Sequence, residues 1–346
     1  MNRNILLLAM LAAVSGCQNM GSKQGGVDQS SIYGGKNSVL YQVQEQAESP
    51  EQAIRMADMA YQAGALDQAL YQYLRAIELD PEQYEALVAV GRIHRDRGNN
   101  HLAEMAFADV LKNQPDNLSA LTEMGLLQLA LRRPDGAREL LGKAIAADQK
   151  RLGNATGSEV GALKVDAASP LKVYNGMGVL ADLGNDAATA AAYYGLAAQI
   201  DPRSALVANS KAYSLYLTGA WAEAEQQYRL GLSYDSSYQP LWRNYGLLLA
   251  RMGRYEAALS AFEQVESRAE ASNDVGYICL VEGKLDVAEQ FFRSAIEQSP
   301  AHYEMASENL RRIEQIRRIR EHGVNQGAAA VEAFAVVPTG EVTVGP

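Results

Sequence analysis

From Pro50 onward, apolar residues recur three and four positions apart in stretches broken by Gly or Pro. That spacing places them on one face of a helix. Aligning the stretches on a small residue late in every second one gives Ala57, Gly91, Gly125, Gly178, Ala212, Gly246 and Gly276, with successive spacings of 34, 34, 53, 34, 34 and 30. A second small slot in the same register reads Ala69, Ala103, Ala137, Ala190, Ala224, Ala258 and Ala288. Four residues later comes a large one: Tyr73, Phe107, Leu141, Tyr194, Tyr228, Phe262 and Phe292. On a helix a spacing of four shares a face. The pattern predicts pairs of antiparallel helices, with Gly or Ala where two backbones cross closely and the large residue filling the space between them. Gly64, Gly98, Gly184, Gly219, Gly253 and Gly283 fall at the predicted bends, where Arg132-Arg133-Pro134 serves the third pair instead.

A repeat of 34 residues with these slots resembles the tetratricopeptide repeat. The resemblance implies an all-α fold, a superhelical solenoid of about seven helix-turn-helix repeats near 50–83, 84–117, 118–151, 171–204, 205–238, 239–268 and 269–302. The wide spacing places an inserted loop at 152–170, dividing the array into repeats 1–3 (50–151) and 4–7 (171–302). It reads either as a hinge or as a contact. The short spacing before Gly276 predicts a helix trimmed near Ser267–Ala271. Leu310, Ile313, Ile316 and Ile319 recur at three-residue steps on a charged background, so 303–322 is read as a capping helix covering the last apolar face. Its arginines Arg311, Arg312, Arg317, Arg318 and Arg320 read first as a solvated face. The Gly-, Ala-, Val- and Pro-rich residues 323–346 predict a disordered tail.

The first residues follow another pattern. Arg3 precedes an apolar run from Ile5 to Val14, then Ser15-Gly16-Cys17. A basic start, a short apolar stretch and small residues describe a secretory signal, expected at 1–16. The run is too short to span a bilayer. Leu11-Ala-Ala-Val-Ser-Gly-Cys17 resembles the bacterial lipobox, which implies covalent lipid on Cys17 and, with Gln18 following, sorting to the outer membrane with the body facing the periplasm. Several acyl chains anchor stably where one binds marginally. Residues 17–49, rich in Gln, Ser, Gly and Asn, then read as the lipidated Cys and a flexible tether.

Composition narrows the chemistry. The chain has 346 residues, 31 Lys+Arg against 41 Asp+Glu, and a net charge of −10. An acidic balance argues against nucleic acid as partner. Two cysteines exclude a disulfide scaffold, and four histidines leave little for metal or acid–base sites. With Cys17 lipidated, Cys279 reads as a small buried hydrophobe. Catalytic motifs such as HExxH, CxxC, GxxxxGK[ST] and GxSxG are missing from the sequence. Gly176-Met-Gly178-Val-Leu-Ala181 matches GxGxxA but lies inside a helical repeat, where Gly178 already serves as the small slot. His94 and His101 flank one bend without a carboxylate or Cys at ligand spacing. The reading is a protein-binding chain: not an enzyme, with no catalytic residue, metal, small-molecule substrate or cofactor beyond the lipid.

What remains is a surface. In such arrays the first helices line a groove that holds a peptide or helix. Asn175, Asn209 and Asn273 recur at one first-helix position, with Asn244 one step on, and amides can pair a bound backbone. Tyr213, Tyr216 and Tyr277 add flat contact area, and Arg243, with Arg92 and Arg95 earlier, adds charge for carboxylates. The competing reading is that these Asn residues satisfy local backbone groups.

The lipobox followed by this array resembles the TadD-type lipoproteins of tight-adherence (Tad/Flp) pilus assembly. The likeness is carried by Leu241-Trp-Arg-Asn-Tyr-Gly246-Leu-Leu-Leu-Ala250, Asn273-Asp-Val-Gly276-Tyr-Ile-Cys279-Leu280 and Ala288-Glu-Gln-Phe-Phe-Arg-Ser-Ala-Ile-Glu-Gln-Ser-Pro300. It covers about 170–315 well and the first three repeats more loosely. The resemblance implies partners among pilus assembly components, the secretin first, and a role in their assembly or stability. Pilotin-type lipoproteins of other type IV pilus or secretion systems share the same two features, and a scaffold for envelope enzymes is a further reading.

Overall fold

The computed structural model describes residues 47–154 and 159–321, apart from the Glu321 side chain. The signal at 1–16, Cys17, the tether up to residue 46 and the tail from 322 lie outside the described residues. Those residues form fifteen α-helices and one short 3-10 helix. They divide into two compact units at Gly153–Asn154.

The first unit holds α1 (Pro50–Gln62), α2 (Leu66–Leu79), α3 (Tyr84–Asp96), α4 (Asn100–Asn113), α5 (Leu118–Ala130) and α6 (Pro134–Arg151). Ser49 starts α1 by accepting the Gln52 N–H at 3.2 Å, with Pro50 where no intrahelical N–H is needed. Asn117 caps α5 in the same way through Ala120 N at 2.9 Å. The small and large slots meet as the spacing predicts: a Cβ on Gly91 would press into the Phe107 ring, and one on Gly125 into Leu141. Ala69, Ala103 and Ala137 are fully buried. Gly64 and Gly98 adopt left-handed φ of +74° and +75°, and Arg132 takes the same role at 59°.

The second unit holds a 3-10 turn (Val160–Ala162), then α7 (Leu171–Leu183), α8 (Ala187–Ile200), α9 (Ala205–Thr218), α10 (Trp221–Tyr234), α11 (Gln239–Arg251), α12 (Tyr255–Phe262), α13 (Arg268–Val281), α14 (Leu285–Gln298) and α15 (Glu304–Glu321). Its core runs from Ala205 to Ile313 and includes the fully buried Tyr228, Leu241, Leu248, Cys279 and Phe292. Two details differ from the sequence expectation. In the fourth repeat the left-handed residue is Asn185 (φ 58°), whereas Gly184 keeps φ −79°; Asn tolerates that region well enough to replace glycine. The trimmed helix is α12, eight residues long, not the stretch at Ser267–Ala271. Ser267 and Glu270 instead form a reciprocal capping box that starts α13.

Candidate partner-binding face

On α9, Asn209, Tyr213 and Tyr216 stand four and three residues apart and so share a helix face. Asn175 and Asp182 stand seven apart on α7, as do Asn244 and Arg251 on α11, and Asn273 and Tyr277 stand four apart on α13; Arg243 and Asp274 flank these faces one residue away. Because the repeats are in register, these faces belong to equivalent positions of four first helices.

The amides join in pairs across repeats. Asn244 Nδ2 donates to Asn209 Oδ1 at 3.0 Å, and Asn309 Nδ2 on α15 donates to Asn273 Oδ1 at 3.2 Å. Asn273 Nδ2 in turn faces Asp274 Oδ1 at 3.3 Å and Met305 Sδ at 3.5 Å. Asn175, only 3% exposed, has an Oδ1 that meets no hydrogen-bond donor among the described residues. The Tyr213 and Tyr216 rings lie 5.6 Å apart at 31°. Tyr216 is buried, and its hydroxyl likewise meets no partner among the described residues. Tyr277, Arg243 and Asn244 are half-buried. The candidate residues are thus strung along four helices.

Charged groups sit between these amides and rings. Asp182 is buried and accepts from Tyr194 OH and Ser214 Oγ, both at 2.8 Å. Burial raises its pKa against the lowering effect of those two donors. Two repeats on, Arg251 pairs with Glu282 at 3.2 Å, and Lys284 reaches Glu282 at 2.8 Å and Tyr255 OH at 3.2 Å. Glu266 and Asp274 form an acidic corner near Arg243. Burial pushes both carboxyls up; Asp274 adds to the rise at Glu266, while the Arg243 charge moderates it at both. Sequence reasoning passed over Asp182, Arg251, Glu282 and Glu266. The signal for Asp182 was its place two turns after Asn175 on the same face.

In the first unit Arg92 and Arg95 are engaged within the chain. Arg92 Nε meets Glu123 Oε1 at 2.7 Å, Arg95 grips the other Glu123 oxygen, and Arg95 also holds Asp96 at 3.0 Å. Cys279 is fully buried, and burial raises its thiol pKa, so it is packing and not a thiolate nucleophile. Among the described residues no three His, Cys, Asp or Glu side chains converge as a metal ion would require, and no helix is long and apolar enough to cross a membrane.

The tetratricopeptide repeat family model matches residues 54–117, 88–151 and 242–303. Among solved structures, a tetratricopeptide repeat protein from Parabacteroides merdae aligns at 18% identity and TM-score 0.51, covering 77% of this chain and 98% of that one. Pseudomonas aeruginosa pilF aligns at 17% identity and TM-score 0.46, covering 66% of this chain and 96% of its own. PilW, a type IV pilus biogenesis factor, aligns at 17% and 0.49, covering 65% and 98%. No relative is found among the curated proteins. The fold is an all-helical tetratricopeptide-repeat solenoid. That architecture typically serves as a scaffold for protein–protein interaction.

Proposed function

We propose that the chain is an outer-membrane adaptor, anchored by lipid on Cys17 with its body in the periplasm. It binds protein components of the tight-adherence (Tad/Flp) pilus machinery, near the secretin, and supports their assembly or stability. The observation that carries this reading is the joining of Leu11-Ala-Ala-Val-Ser-Gly-Cys17 to a tetratricopeptide array whose fourth to seventh repeats resemble TadD-type lipoproteins. The chemistry of the first-helix face suits such a role. Tyr213 and Tyr277 are half-buried aromatics of the kind that anchor interfaces. The amide pair Asn209–Asn244 links the first helices α9 and α11, and Asn273–Asn309 links α13 to α15.

The test is a cross-linking pull-down from the native envelope. Secretin and tight-adherence components should be captured, and Tyr213→Ala with Tyr277→Ala should reduce that capture about tenfold, the loss of one or two interface anchors. Capture of another pilus system's secretin would favour the pilotin reading. Capture of neither would remove the pilus role.

A further inference from the structure

Two turns beyond the Asn209–Asn244 pair, the same two helices bring a second pair of side chains together. Asn209 and Asn244 are 35 residues apart and bond at 3.0 Å. Tyr216 and Arg251 repeat that separation, each seven residues further along α9 or α11 and so on the same face. The charges of Arg251 and Glu282 both act on the Tyr216 hydroxyl. Unlike the amides, this second pair keeps unused hydrogen-bond capacity. Tyr216 is 6% exposed, and its hydroxyl and the Arg251 Nε are both buried donors that meet no acceptor among the described residues. A buried donor without an acceptor carries its full desolvation cost.

Charge identifies the acceptor that would suit them. Arg251 lies 3.2 Å from Glu282, and Lys284 lies 2.8 Å from the same carboxylate, so two cations share one anion. Arg92 and Arg95, by contrast, divide Glu123 between them, and Arg95 also holds Asp96, which sets two carboxylates against two cations. Arg243 stands near Glu266 and Asp274. At Arg251 a positive charge is left over beside two donors. A neutral carbonyl would leave that charge unmatched, whereas the two oxygens of a carboxylate satisfy both donors and the charge together. The Arg251 side chain is 18% exposed, so a group arriving on the first-helix face can reach it.

We propose that Arg251 and Tyr216 form a subsite for an acidic side chain of the bound partner, its carboxylate taken by the guanidinium and the tyrosine hydroxyl. This subsite rests on the adaptor reading above and adds to it the chemistry of the partner residue. It also moves the carboxylate-binding role from Arg243, Arg92 and Arg95, where the sequence suggests it, to Arg251.

Arginine Nε–Hε NMR signals of the detergent-solubilised full chain, titrated with acetylated hexaglutamate, test the subsite. The Arg251 signal, assigned through Arg251→Lys, should shift to saturation. The Arg243 signal should stay in place, and hexaglutamine at the same ionic strength should move neither. Tyr216→Phe should weaken hexaglutamate binding at least about tenfold, the loss of one hydrogen bond to a charged group. Its melting temperature should stay level or rise, because the deleted hydroxyl has no acceptor in the fold. An unmoved Arg251 signal would overturn the subsite. So would an equal shift at Arg243, which marks general charge attraction, or full affinity or a lowered melting temperature in Tyr216→Phe. If hexaglutamate binds at Arg251 while the native-envelope pull-down captures no pilus component, the pilus reading fails and the subsite stands. If the pull-down succeeds and hexaglutamate leaves Arg251 unmoved, the subsite alone fails.

Discussion

Tyr194 and Tyr228 fill the same large slot in successive repeats, yet their hydroxyls end differently. Tyr194 OH donates to Asp182 at 2.8 Å, whereas the fully buried Tyr228 OH meets no partner among the described residues. A buried polar group without a partner carries its full desolvation cost. Tyr228→Phe should therefore leave stability unchanged or raise it by up to about 1 kcal/mol, while Tyr194→Phe should cost about 1–2 kcal/mol. Urea unfolding of the two variants measures the difference, and equal losses would contradict it. The small slot sets a second contest. Gly246→Ala gains about 1 kcal/mol of helix preference, but its Cβ would lie 2.9 Å from the Phe262 ring. Overpacking of that kind costs about 1–3 kcal/mol, so the net change should be a loss. Adding Phe262→Leu should make the pair less destabilised than the sum of the two single changes; simple additivity would show that ring and backbone are not in competition.

At the scale of the element, α12 and α13 show how one irregular repeat acquires unusual electrostatics. The shortened α12 ends at Phe262, and the turn to Ser267 brings Glu266 into the company of Asp274 and Arg243. Burial raises both carboxyls, so the folded chain favours their protonated forms. For a raised acid, the stabilising contribution is fully present below the ordinary value and is lost as pH rises through the folded-state value. The window for Glu266 runs from 4.5 to about 8. Glu266→Gln removes this dependence, so its melting temperature should exceed that of the parent by a margin that grows across the window. Parallel melting curves at every pH would mean that Glu266 stays ionised in the fold.

For the whole molecule, the anchor proposed at Cys17 and the repeat array should be separable. Cys17→Ser should leave unlipidated precursor and release the body from the outer membrane, read by fractionation, without altering the helical content of the repeats by circular dichroism. Unchanged membrane association would refute the lipid on Cys17. Each of the two units has its own buried clusters, centred on residues such as Tyr73 and Phe107 in the first and Tyr228 and Phe292 in the second. A destabilising change such as Gly246→Ala therefore belongs to the second unit, and hydrogen exchange in α1–α6 should not register it.

The 34-residue register was legible because it is written in local terms. A helix face follows from spacing, and a Gly or Ala opposite Tyr or Phe names a close crossing, so Gly91 with Phe107 and Gly178 with Tyr194 meet as their positions require. The positive φ at Gly64 or Gly219 was legible for the same reason, while its transfer from Gly184 to Asn185 was not, because either residue tolerates it. Partnership across repeats was decided by the tertiary structure alone. Asn209 and Asn244 are 35 residues apart, and only the packing of α9 and α11 puts their amides at 3.0 Å. Arg92 and Arg95 looked free to hold a ligand carboxylate until Glu123 was seen to take both. The burial that raises Glu266 comes from the turn after α12, whose shortening was misplaced from sequence. Spacing along a helix is fixed by its 3.6-residue turn, and the sequence determines it directly. Which polar groups face one another, and which stay open, depends on how neighbouring helices are set, and that belongs to the folded chain.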